Sequence, residues 1–163
     1  MAGDRPFEKA QQKALRLLSL RSRSKKEMES RLRDKGFGES VVGKVIEKLS
    51  GLRYIDDDAF AQEWARDLAV NRLYGDRRIE RSLGEKGIPR EIIRRAIAEV
   101  RKEFPEEEAL AVLLKKKLKN RPVAELDRKE KNRLARSLIG KGLPAGKIFE
   151  VLRNKEEEID DGE

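Results

Sequence analysis

Three consecutive aspartates, Asp56, Asp57 and Asp58, are the first residues that suggest chemistry. Clustered carboxylates can hold Mg²⁺, but such sites draw ligands from separate segments, and adjacent acids at a helix start point in different directions. The same residue type is a strong helix cap, and that reading is preferred. The chain has no histidine and no cysteine. The commonest general base, the commonest transition-metal ligand, disulfides and thiolate nucleophiles are therefore all missing. The glycines Gly36, Gly38, Gly84, Gly87, Gly140 and Gly142 form neither a Walker-type phosphate loop nor a dinucleotide fingerprint after a strand. No catalytic residue, metal site or cofactor is assigned, and the protein is expected not to be an enzyme.

What remains is cationic. Lys and Arg number 39 against 31 Asp and Glu, a formal net charge of +8. Any one of these cations is explained well enough by solvation of a polar face. The collection points to a polyanionic partner such as nucleic acid, or a protein filament coating it. The candidate contacts are Lys25 and Lys26 early in the chain, then Arg66, Arg72, Arg77, Arg78, Arg81, Arg90 and Arg94 in its middle. A third basic set runs from Lys115 to Arg136. Tyr74, beside Gly75 and among basic residues, is the candidate aromatic contact. Phe60 and Trp64 are one turn apart and continue to Leu68, so both are expected in the core and not on a base-stacking surface.

Helices must position these side chains. Three stretches share one pattern: LRDKGF at Leu32–Phe37, LGEKGI at Leu83–Ile88 and LIGKGL at Leu138–Leu143. A glycine just past a helix adopts the left-handed conformation that closes the last turn, and the apolar residue after it folds back on the helix it has left. A second helix follows each turn, with apolar residues at i, i+3 and i+4: Val42, Val45, Ile46 and Leu49, then Ile93, Ala96, Ile97 and Val100, then Ile148, Val151 and Leu152. One more helix precedes each pair, carrying Ala10, Ala14, Leu17 and Leu18, then Phe60 to Leu68, then Leu110, Leu113, Leu114 and Leu118. Strand patterns are missing, and aromatic residues make up only 5%. The expected fold is all-α: three tandem three-helix repeats at residues 8–53, 54–104 and 105–154, stacked into an elongated, curved array. Residues 155–163 form an acidic tail expected to be disordered. Equivalent turns of such an array would merge separate basic clusters into one stripe.

No apolar stretch approaches the ~20 residues a membrane span needs. The segment Met1–Phe7 has no secretory pattern, so a cytoplasmic location is expected.

Residues Tyr54–Ile88 resemble the RecX family of bacterial recombination regulators. The resemblance rests on Ile55-Asp56-Asp57, Phe60-Ala61 followed by Trp64, then Arg66, Arg72, Gly75, Arg78-Ile79, Leu83 and Lys86-Gly87-Ile88. The first repeat is similar too, with Ala14 to Leu20, Ser24 and Lys35-Gly36-Phe37, so the likeness runs over about residues 8 to 153. It implies three-helix repeats and a partner, the RecA recombinase filament on single-stranded DNA, whose ATPase and strand exchange the protein would inhibit. It implies roles for Arg66, Arg72 and Arg78; the other candidates rest on charge and placement. It implies neither a small-molecule substrate nor a membrane. Asp67–Asn71 reads DLAVN where the family is more basic. Two other readings stand beside it: a general basic nucleic-acid-binding or scaffold protein without RecA specificity, and a Mg²⁺ enzyme at Asp56–Asp58.

Overall fold

The computed structural model describes the backbone of residues 4–160 and the side chains of residues 5–153. Among the described residues there are nine α-helices and no strand. They are α1 (Asp4–Leu20), α2 (Lys25–Asp34), α3 (Glu39–Gly51), α4 (Asp57–Arg66), α5 (Asp76–Glu85), α6 (Arg90–Glu103), α7 (Glu106–Leu118), α8 (Arg128–Gly140) and α9 (Ala145–Asp160). A short π-helical stretch, Asp67–Asn71, follows α4, and a single 3₁₀ turn, Val123–Glu125, precedes α8. The side chains of the acidic segment 155–163 lie outside the described residues.

The three Lys-Gly turns close as their sequence pattern predicts. Gly36, Gly87 and Gly142 have φ of 92°, 76° and 89°. In each, the apolar residue after glycine donates its N–H to a carbonyl five residues back: Phe37 to Leu32, Ile88 to Leu83 and Leu143 to Leu138. The glycine N–H goes to the residue three back. This pairing satisfies carbonyls that a helix end would otherwise leave bare.

The helices fall into two compact units, Met1–Glu63 with Leu83–Ala96, and Trp64–Ser82 with Ile97–Glu163. The first has a core of Ala10, Ala14, Met28, Leu32, Val42, Val45, Ile46, Leu49 and Ile55. The small Ala10 and Ala14 on α1 let α3 approach closely. The second is built on Leu110, Leu113, Leu114, Leu134, Leu138, Leu143, Ile148 and Leu152, with Leu73 inserted from a loop and Val123 from the 3₁₀ turn.

Each residue of the Asp56–Asp58 cluster holds a different donor. Asp56 accepts the N–H of Ala59 at 3.2 Å and caps α4. Asp57 accepts the N–H of Lys25 at 2.9 Å, and Asp58 pairs with Arg95 at 3.1 Å. These carboxylates diverge, as the capping argument requires. Among the described residues no group of three acidic side chains could hold a metal ion.

Two features depart from expectation. Trp64, expected in the core, is only half-buried; its indole N–H donates to Ser82 Oγ at 2.9 Å. A polar handle at one edge keeps an aromatic at the boundary between core and solvent. The helix through Leu68 also widens: Arg72 N–H reaches back five residues to Asp67, and Tyr74 N–H reaches Leu68. That extra residue buries Leu68 and Ala69 side by side and leads into Leu73, held at φ 60° although it is not glycine.

Candidate basic interface

Each compact unit contains a Lys-Gly turn seated against the start of another helix. In the first unit, the Lys86–Gly87 turn meets the start of α2. Ser24 caps α2 in a reciprocal box with Glu27. Its hydroxyl also donates to the Lys86 carbonyl at 2.6 Å, and Lys86 Nζ lies 3.3 Å from Glu27. The Lys26 stem covers Gly87 so closely that a Cβ there would overlap it. Lys26 thus spends its methylenes on packing and keeps its ammonium group in solvent.

Burial acts on Glu27 to raise its pKa, but the Arg21 guanidinium, the Ser24 backbone N–H and the Lys86 charge outweigh it and hold the carboxyl below its ordinary value. Arg23, 8% exposed, has its own pKa lowered by burial and by the neighbouring Arg21 charge. Its Nε is buried without a hydrogen-bond partner among the described residues.

In the second unit, the Lys141–Gly142 turn meets the segment before α5. Gly75 N–H donates to the Lys141 carbonyl at 2.8 Å. A Cβ on Gly75 would overlap the Gly142 carbonyl, and one on Gly142 would lie 2.6 Å from Arg78 N and Cβ. Only glycine at both positions permits this approach. Arg78 crosses the junction: its guanidinium sits 3.9 Å from the Tyr74 ring centroid and donates to the Gly140 carbonyl at 3.1 Å. Lys141 Nζ lies 5.3 Å from the same ring. Arg101 anchors the loop from beneath, bonding the Asp76 carboxylate at 2.7 Å and the Tyr74 carbonyl at 2.9 Å. Glu106 accepts the Asp76 N–H at 3.0 Å; burial, then the nearby Asp76 carboxylate, raises its pKa.

The candidate cations therefore divide by what they already hold. Lys25, Lys26, Arg66, Arg72, Arg77, Arg78, Arg81, Arg90 and Arg94 are all exposed, and Tyr74 is half-buried. Arg66 pairs with Glu103 at 2.6 Å. Arg78 is committed to Tyr74 and Gly140, so Tyr74 is less open to a partner than its neighbourhood in sequence suggests. Lys25, Lys26, Arg72, Arg77, Arg81, Arg90 and Arg94 make no ion pair among the described residues. On α5, Arg77 and Arg81 are one turn apart, opposite the buried Ile79 and Leu83. On α6, Arg90 and Arg94 form a second such pair beside the buried Ile93 and Ile97. Lys141 and Arg101 escaped sequence reasoning. Lys141 stood in a turn motif read as purely architectural, and nothing local marks Arg101 as a clamp.

The fold and its exposed arginines define an all-helical, tandem-domain protein with a basic surface. Residues 10–49 match the RecX first three-helix domain, and residues 56–97 match the RecX second three-helix domain. The chain is 32% identical over 154 residues to Regulatory protein RecX of Corynebacterium efficiens, covering 91% of this chain and 73% of the relative. It is 35% identical over 146 residues to Regulatory protein RecX of Geobacillus thermodenitrificans, where 90% of this chain spans 54% of the relative. The crystal structure of RecX from Lactobacillus salivarius superposes with a TM-score of 0.77 at 27% identity, covering 96% of this chain and 99% of that one. The chain belongs to the RecX family of regulatory proteins. No helix among the described residues is long and apolar enough to cross a membrane.

Proposed function

We propose that this protein is a non-catalytic, cytoplasmic regulator that binds the RecA recombinase filament on single-stranded DNA and lowers its ATPase and strand-exchange activity. One observation carries the reading. The RecX second three-helix domain, residues 56–97, presents Arg72, Arg77, Arg81, Arg90 and Arg94 exposed and without carboxylate partners among the described residues. Unpaired arginines can meet acidic protein surface and phosphate alike, and they hold both in planar, two-pronged hydrogen bonds.

We take residues 105–154 as a third three-helix repeat. Helices α7, α8 and α9, and a Gly142 turn closed like those at Gly36 and Gly87, support it. Linked repeats suit a repetitive partner, because each weak contact raises the effective concentration of the next.

The test is a recombinase ATPase assay on single-stranded DNA, using the cognate recombinase. ATP hydrolysis should fall as this protein is added, and binding to the filament should exceed binding to naked DNA. Unchanged hydrolysis at excess protein would discard the reading. Preference for naked DNA, with affinity falling steeply in salt, would favour a general nucleic-acid-binding protein instead.

A further inference from the structure

We infer that the α8–α9 pair carries a separate site for single-stranded nucleic acid, in which one base stacks on Phe149 and the flanking phosphates meet Arg128 and Arg153. Helical spacing assembles it. Arg128, Lys131 and Asn132 share one face of α8, and Phe149, Leu152 and Arg153 share one face of α9. The six line a shallow pocket of about 240 Å³. Leu152 is buried and forms its floor, while Phe149 is 44% exposed.

The core does not account for Phe149. Its neighbour Ile148 is fully buried and supplies the helix's inward contact, so Phe149 turns outward by periodicity. A single exposed apolar side chain is ordinary. Here, however, the aromatic ring lies in a pocket whose lining, among the described residues, holds three cations and no carboxylate. Arg128 and Arg153 are exposed and make no ion pair among the described residues. Arg128 also stands in the first turn of α8, where the helix dipole disfavours cations, so helix stability does not explain its presence. The Asn132 amide can both donate to and accept from a base edge.

An aromatic face among cations is the arrangement that binds unpaired strands, because every base has a π-face and every nucleotide a phosphate. A duplex hides its base faces and can use only the cations. The pocket is smaller than the roughly 300–1,000 Å³ of a drug-sized ligand site, which suits one planar base. The inference deepens the proposed function by adding a strand-binding site, but it requires no recombinase.

The experiment uses the whole chain and fluorescent oligothymidylate and oligouridylate of about 15 nucleotides, a length in the range single-strand modules occupy. Anisotropy is read without recombinase, across a salt series. Phe149→Ala should weaken single-strand binding roughly 5- to 150-fold, and Phe149→Trp should restore it. Duplex binding should be unchanged by both. The double variant Arg128→Ala/Arg153→Ala should lower the slope of log affinity against log salt by about 0.7 for each phosphate no longer neutralised. Tighter binding of one strand type supports the site and identifies its natural ligand. Equal binding by Phe149→Leu and the parent would overturn it, since a greasy surface would then suffice. So would equal competition by a polyglutamate peptide, which would reveal a surface that reads charge alone. Circular dichroism of each variant distinguishes weakened binding from a misfolded chain. A Phe149-dependent oligonucleotide signal beside unaltered recombinase ATPase would sink only the proposed function; the reverse pair would sink only this site.

Discussion

Replacing Gly75 by alanine adds a single methyl group at the tightest approach in the second unit. The new Cβ would occupy the space of the Gly142 carbonyl and approach Leu143 N, and these are backbone atoms that cannot rotate away. Forcing a methyl into packed space costs about 1–3 kcal/mol. The Gly75 N–H to Lys141 bond, 2.8 Å long, would lengthen or break, at about 0.5–1.5 kcal/mol. Together these give about 1.5–4.5 kcal/mol of destabilisation. Gly84 supplies the control. It lies exposed in α5, and a Cβ there meets nothing within 4 Å. Gly84→Ala should therefore stabilise by about 0.5–1 kcal/mol, because alanine loses less backbone entropy in a helix. Urea unfolding of both variants, followed by circular dichroism, measures the difference. Near-equal effects of the two substitutions would refute the account of the junction, since both would then be acting only through helix propensity.

Four further outcomes follow from the same geometry. Arg78→Ala should destabilise by about 1–2 kcal/mol by removing its interactions with Tyr74 and Gly140. The double variant Arg77→Ala/Arg81→Ala should change stability by under about 0.5 kcal/mol yet weaken inhibition of the recombinase; urea titration and the ATPase assay separate them, and similar destabilisation by both would show that exposure was misjudged. Glu27 has a lower pKa folded than unfolded, so its stabilising contribution is complete above the ordinary glutamate value near ~4.3 and is lost as pH falls through the depressed folded value. Glu27→Gln should remove that acid-side loss, and a parent-like slope of stability against pH in the variant would count against the cause assigned. Trp64→Phe should cost about 1 kcal/mol, the Ser82 hydrogen bond, and Trp64→Ala should fall short of the roughly 3–5 kcal/mol typical of a fully buried aromatic. Thermal unfolding reads both, and a full-burial cost for alanine would contradict the half-exposed position.

The sequence by itself determined what is local. Apolar residues at i, i+3 and i+4 specified the helical faces, and the Lys-Gly-apolar pattern specified how Gly36, Gly87 and Gly142 close their helices. Asp56 read correctly as a cap, because a cap needs only the next three residues. The likeness to the RecX family was legible for the same reason, since it rests on residue order. Tertiary structure alone decided which cations are occupied. Arg66 and Arg72 look equivalent along the chain, yet Arg66 meets Glu103, 37 residues away. Arg78 is drawn onto Tyr74 and Gly140 because Gly75 and Gly142 let two backbones touch, and Arg101 is held at one loop by groups at Tyr74 and Asp76. Helical periodicity reports which side of a helix faces inward. It carries no information about which distant carbonyl or carboxylate the packing then brings within hydrogen-bond reach.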